Sequence, residues 1–222
     1  MKDSEVLVFI RNCPKDLSKY FKIKTFKYGQ KLLTQGEIAT HIYILVYGTV
    51  KTYYSDYRGL KYLEDIDTSE TVFGELEALV NKEIVTSVEA ISDCKTIEIP
   101  IDIFIKWMEL DNKFSLYISR LIAQRNYDSC VRERTNAMYP LRYRIIYFIY
   151  NTLYKNNLLY KNNLVITKDL IVEGVGSNIR SINRILKQLI DEDIIKYKSG
   201  TIYIESIDKL KKELDDYKKS EI

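Results

Sequence analysis

Residues 167–189 read TKDLIVEGVGSNIRSINRILKQL, and this stretch constrains the fold more tightly than any other. Thr167 stands just before an apolar-periodic run, where its hydroxyl can accept from free backbone N–H groups and cap a first helix. Leu170 and Ile171 face inward from that helix. Gly176 falls where a tight turn between helices needs a residue tolerant of left-handed φ. Ser177 or Asn178 then caps a second helix, whose buried face is Ile182, Ile185, Leu186 and Leu189 at 3–4 spacing. A hairpin over 194–204, turning at Ser199-Gly200, follows. The order is that of a winged helix-turn-helix; a simple αα-hairpin with solvated arginines is the plainer alternative.

The second helix leaves Ser177, Asn178, Ile179, Arg180, Ser181 and Arg184 toward its exposed N-terminal part, the part of a recognition helix that meets base edges. Arginine forks suit guanine O6/N7, Asn suits adenine, Ser fits phosphate or base, and Ile179 is available for a thymine methyl. Lys168 on the first helix and Lys196 and Lys198 on the hairpin are placed for phosphates, which fix register without reading sequence. Duplex DNA is therefore the expected partner. The charge agrees: residues 1–136 carry 19 Lys and Arg against 20 Asp and Glu, whereas residues 137–222 carry 15 against 11. An asymmetry of this kind points to a polyanion, although a solvated charged face would count similarly.

Upstream, Pro140 punctuates before an apolar helix over 141–154, a polar loop over 155–163 follows it, and a charged helix over 206–219 closes the chain. Residues 111–137 contain no Gly or Pro. Phe114, Tyr117, Ile118, Leu121 and Ile122 make one helical stripe there. A helix of about 25 residues would span about 38 Å, which suits a spine and dimer seam better than one small core. An ordinary packed helix is the alternative. From about Lys22 to Ile99 the chain reads as short β-rich segments over 23–28, 31–34, 42–47, 49–55, 60–66, 85–91 and 94–99. Turn glycines at Gly29, Gly36, Gly48 and Gly59 separate them, and helical pieces fall at 75–81 and 101–109. That spacing predicts a barrel or jelly roll. The expected class is α+β: a β-barrel sensor domain over 1–110, a long dimerisation helix and hinge over 111–137, and a winged helix-turn-helix over 138–222.

Several chemistries are excluded. Cys13, Cys94 and Cys130 form no C-x-x-C pair, and the single histidine, His41, cannot complete a zinc set. Glu75, Glu77 and Asp67 lie close in sequence without a nucleophile or a phosphate-cradling glycine loop, so no enzyme is expected. No cofactor or metal is predicted. Apolar runs such as 145–150 are too short to cross a bilayer, and the start lacks a signal-peptide pattern, so a cytoplasmic protein with no membrane partner is expected.

Residues 32–53, LLTQGEIATHIYILVYGTVKTY, together with FGELEAL over 73–79, Gly176 and Arg184-Ile185-Leu186, resemble the CRP/FNR family of transcription regulators, over nearly the whole chain from Phe26 to Ile204. Within it, Gly74-Glu75-Leu76-Glu77 and Asn126-Tyr127 resemble the YeiL-like regulators. The resemblance implies a cyclic-nucleotide-binding-like barrel, a homodimer on an inverted-repeat operator, and RNA polymerase as a further partner. It places an effector pocket at Gly74, Glu75, Leu76, Val85 and Thr86, with Ser129 and Cys130 on the long helix. In cyclic-AMP-binding members an arginine after the Gly-Glu-Leu turn pins the phosphate; the matching pair here is Val85-Thr86, with no cation. A phosphate buried there without such a partner would pay a desolvation penalty of several kcal/mol. The barrel is thus expected to keep the fold but not cyclic-AMP binding, with the effector unidentified. Cys130 is expected as a packed small hydrophobe, and His41 as solvent-facing.

Overall fold

Alternation along the N-terminal segment builds two four-stranded sheets. The computed structural model describes residues 5–68, 70–155 and 166–219. Helices α1 (Glu5–Asn12) and α2 (Lys15–Ser18), which the sequence reading did not anticipate, precede β1 (Lys22–Phe26), β2 (Lys31–Leu33), β3 (His41–Tyr47) and β4 (Thr49–Ser55). Then come β5 (Lys61–Thr68), β6 (Thr71–Phe73), α3 (Glu75–Val80), β7 (Ser87–Ala90), β8 (Cys94–Pro100) and α4 (Ile101–Leu110). The sheet orders are β1-β8-β3-β6 and β2-β7-β4-β5. The central strand β3 shows why they pack. Successive side chains point to opposite faces, so Ile42 and Ile44 enter a core shared with Phe104 and Trp107 of α4, while Tyr43 and Leu45 enter one shared with Phe26, Val50 and Val88. Strand β6 escaped the sequence reading because three residues are too few to show a period; Val72 and Phe73 nevertheless divide between the same two cores.

Helix α5 (Asn112–Met138) is one unbroken 27-residue helix. The Asp111 carboxylate starts it by accepting from the backbone N–H groups of Lys113 (3.0 Å) and Phe114 (3.1 Å). Here the structure corrects an expectation. Phe114 and Ile118 are fully buried in the chain's own core, with the Trp107 ring stacked on Phe114 at 3.7 Å between centroids. Tyr117, Leu121 and Ile122 pack partly buried against the same core. An aromatic-rich stripe beside a half-finished barrel core is satisfied within the chain, so these five residues are not a free dimer seam.

Contacts divide the chain into two compact units, one comprising Met1–Gly59 with Glu64–Ser129 and the other Leu60–Leu63 with Cys130–Ile222. The division falls inside α5 rather than at its ends, because the first half of the helix completes the barrel's core. In the second unit come α6 (Leu141–Lys155), β9 (Ile166–Thr167), α7 (Lys168–Val175), α8 (Ile179–Asp191), β10 (Ile195–Lys198), β11 (Thr201–Ile204) and α9 (Ile207–Lys219). Apart from Lys155, which ends α6, the loop expected over 155–163 lies outside the described residues. The core joins Ile145, Ile146 and Ile149 of α6 to Ile171, Leu186 and Leu189. The sheet order is β10-β11-β9. At Gly174 the space is taken by Phe148: a Cβ there would lie 2.2 Å from its ring. Among the described residues no helix is long and apolar enough to cross a membrane.

Candidate nucleic-acid interface and sensor site

In the second unit the local chemistry of residues 167–189 is realised bond by bond. The Thr167 hydroxyl accepts from the Leu170 N–H at 3.2 Å and caps α7. Gly176 ends that helix at φ +59, in the left-handed region where a side chain would be strained. Of the two candidate caps for α8 it is Asn178 that acts, its Oδ1 accepting from the Ser181 N–H at 2.9 Å; Ser177 is half-buried in the turn. Helix α8 buries Ile182, Ile185, Leu186 and Leu189. Arg180 and Arg184 are exposed on the face opposite that one, Asn178 and Ile179 are exposed where the helix begins, and Ser181 is half-buried. The structure thus gathers these residues at the N-terminal end of α8, with Arg180 and Arg184 on its outward face.

The wing is the β10–β11 hairpin, with Lys198 opposite Thr201 in register. Its two-residue turn needs left-handed φ at both positions, which Ser199 (+51) and Gly200 (+81) supply. Lys196 and Lys198 are exposed on β10. Lys196 donates to Glu205 Oε1 at 2.5 Å, an exposed pair of the kind worth about 0–1 kcal/mol. Lys168 is turned onto the wing, its ammonium 4.2 Å from the centroid of the Tyr197 ring.

In the first unit, Gly74 adopts φ +88 and leads into α3, whose Glu75 and Glu77 are buried. The Glu77 carboxylate accepts from the Val85 N–H at 3.1 Å and braces the following loop. Glu75 forms an ion pair with Arg125 of α5. The same guanidinium donates to Thr71 Oγ1 at 2.9 Å and lies 5.2 Å from the Phe73 ring centroid. Burial pushes the Glu75 carboxyl above its ordinary value, against the pull of Arg125. Burial lowers the Arg125 value, but Glu75, Asp67 and Asp65 outweigh it, so the guanidinium stays cationic.

The sequence reading missed Arg125, finding no cation at Val85-Thr86 and naming no partner for Glu75. The signal was present: Arg125 follows Ile118, Leu121 and Ile122 at 3–4 spacing, on the buried side of α5, where an arginine requires an anion. Of the other expected pocket residues, Thr86 is buried, but Leu76 and Val85 are exposed at 42% and 53% and do not line an enclosed cavity. Ser129 is half-buried. Cys130 is exposed rather than packed as a small hydrophobe. His41 is half-buried at the start of β3, with its Nδ1 2.9 Å from the Thr40 hydroxyl.

Residues 23–111 match the family model of the cyclic nucleotide-binding domain. No curated protein matches the chain in sequence. Among solved structures, a protein from Eubacterium rectale assigned as a CRP/FNR-family transcriptional regulator superposes with a TM-score of 0.76 at 19% identity, over 93% of this chain and 97% of that one. TTHA1359, a CRP/FNR-family transcriptional regulator from Thermus thermophilus, gives 0.75 at 21% identity over 87% and 98%. CLP of Xanthomonas campestris, a c-di-GMP-responsive global regulator, gives 0.74 at 14% identity over 85% and 95%. The chain therefore has the fold of the CRP/FNR regulators: a cyclic-nucleotide-binding-type barrel, a long central helix and a C-terminal winged helix-turn-helix.

Proposed function

We propose that the protein is a sequence-specific DNA-binding transcription regulator of the CRP/FNR family. It works as a homodimer on an inverted-repeat operator, with half-sites about 34 Å apart. The observation that carries this reading is the capped α8 helix, which holds Arg180 and Arg184 exposed on one face beside a basic wing. Arg180 and Arg184 read base edges, Asn178, Ile179 and Ser181 adjoin them, and Lys168, Lys196 and Lys198 serve phosphates. RNA polymerase is the partner such a regulator would meet at a promoter. The narrower YeiL-like placement rests on the Gly74-Glu75-Leu76-Glu77 and Asn126-Tyr127 wording alone.

A dimer seam different from the one first expected supports the homodimer. Leu116, Arg120, Ala123, Tyr127, Cys130 and Arg134 recur along α5 at alternating intervals of four and three, and all are exposed. That is the spacing of a two-stranded coiled-coil seam, with Leu116, Ala123, Tyr127 and Cys130 as its apolar members. It lies on the opposite side of the helix from Phe114 and Ile118.

The sensor barrel keeps its fold without cyclic-AMP binding. Glu75, which the resemblance places in the effector pocket, already holds Arg125, and Val85-Thr86 supplies no cation for a phosphate. Selection on random duplex DNA should recover an inverted repeat whose binding weakens in Arg180→Ala and Arg184→Ala and does not respond to cyclic AMP. If no specific duplex emerges and both variants bind like the parent, the regulator reading is wrong.

A further inference from the structure

The Arg125 guanidinium sits in a cradle whose sides share one preference. The buried Glu75 carboxylate takes its charge. The Thr71 hydroxyl accepts from the same planar group at 2.9 Å. The Phe73 ring centroid lies 5.2 Å from the guanidinium carbon, and the negative face of an aromatic ring attracts a cation. Asp65 and Asp67 of β5 add a negative field. Carboxylate, hydroxyl, ring face and field together select a flat, hydrogen-bonding cation, and they repel an anion such as a phosphate.

The place of Arg125 on α5 extends its effect along the helix. Phe114, Ile118 and Ile122 hold the first half of α5 against the barrel by apolar packing. The next positions on that inner side, Asp128, Ser129 and Arg132, are polar. Arg125 thus carries the attachment one turn beyond the apolar stripe, to within four residues of Ser129, where the first unit ends. It joins α3 to α5, the two elements on which the resemblance places the effector pocket.

We propose that Arg125 is a tethered occupant of the sensor site, holding α5 against α3 as a bound effector would and making operator binding independent of any small molecule. The inference rests on the DNA-binding reading above and names how that regulator is controlled. A free ligand shifts a conformational equilibrium only through its differential affinity for the two states. A side chain fixed beside the site has a high effective concentration, which a free competitor must exceed to displace it. The lining also sets the class of ligand that the site takes once the arginine is gone: a guanidinium or amidinium, not a cyclic nucleotide.

The test removes the side chain and returns its head group in solution. The full chain should bind its selected operator with no small molecule added. Arg125→Ala should weaken that binding by about tenfold, the size of an ordinary coupling between two sites. The Arg125 side chain is 30% exposed, so a small cation reaches Glu75 in the variant. Millimolar methylguanidinium should therefore restore binding, while methylammonium and acetate should not. Because the single variant leaves Glu75 buried alone, Arg125→Ala combined with Glu75→Gln provides the folded control. It should unfold near the parental midpoint yet bind the operator as weakly as the single variant, with or without methylguanidinium. Arg125→Lys, which keeps the charge but loses the planar fork, should fall between parent and Arg125→Ala. A folded double variant that binds the operator like the parent gives Arg125 a structural role alone and overturns the proposal. So does a folded single variant whose weakened binding methylguanidinium leaves unchanged. In both cases the parent still binds its operator and the DNA-binding reading stands; a parent without specific affinity for any duplex removes that reading as well.

Discussion

Helices α5 and α8 both set arginines beside an apolar stripe, yet they dispose of the charge in opposite ways. On α5, Arg125 continues the buried side and is held by Glu75, Thr71 and the Phe73 ring. On α8, Arg180 and Arg184 lie opposite the buried Ile182–Leu189 face and remain exposed. A cation neutralised inside the fold stabilises one arrangement of the chain. One left exposed on a preorganised helix face is available to an external anion at little further conformational cost. The same residue type thus marks a structural brace in one unit and a proposed reader in the other, and the partner decides which.

The sharpest way to break this contrast is on α5. Phe114→Ala removes a ring stacked on Trp107 at a fully buried position and should cost about 3–5 kcal/mol of stability in denaturant unfolding at fixed protein concentration. Tyr127→Ala, on the exposed side of the same helix, should instead weaken the dimer while leaving that stability nearly intact. A Phe114→Ala variant that dissociates without unfolding would return the seam to the inner stripe. The outer seam has a direct readout as well: mild thiol oxidation should give a covalent dimer that Cys130→Ser abolishes and Cys13→Ser does not. Cys13 is buried, and burial together with Asp111 pushes its thiol up to about 11, so it stays protonated and unreactive near neutral pH.

Next in size is Arg125→Ala, which leaves Glu75 buried without its cation and should cost about 3 kcal/mol. Adding Glu75→Gln should recover much of that loss, because the neutral amide tolerates burial better. An unchanged unfolding midpoint in the single variant would show that Arg125 is no brace. On α8, Arg184→Ala should lower discrimination at one base pair by about 1–3 kcal/mol while barely moving thermal stability, the reverse of the Arg125 result. The smallest effect expected is that of Asn178→Ala. Loss of the cap should cost about 1 kcal/mol and fray the first turn of α8, where the proposed readers sit, so DNA affinity should fall alongside it.

Much of this molecule was legible from local chemistry. The caps at Thr167 and Asn178, the Gly176 turn and the Ser199-Gly200 hairpin each depend on residues within four positions of one another, and each formed where its spacing placed it. Strand β3 was legible for the same reason, since its alternation already divides two cores. Less legible were features whose partners are remote in sequence. Arg125 and Glu75 are fifty residues apart, and Phe114 finds Trp107 and Phe104 only after α4 has folded back. The stripe on α5 was seen, but periodicity shows only that a helix has an apolar side, not which surface will cover it.

By itself, then, the sequence determined the winged helix-turn-helix and which residues open its second helix, because capping, turn conformation and helical spacing act over a few residues. The tertiary structure alone decided that the inner side of α5 belongs to the chain's own core, that a different stripe faces outward, and that Glu75 is already taken. Each of these follows from long-range packing, in which a buried charge or ring must find its complement wherever the fold brings one near.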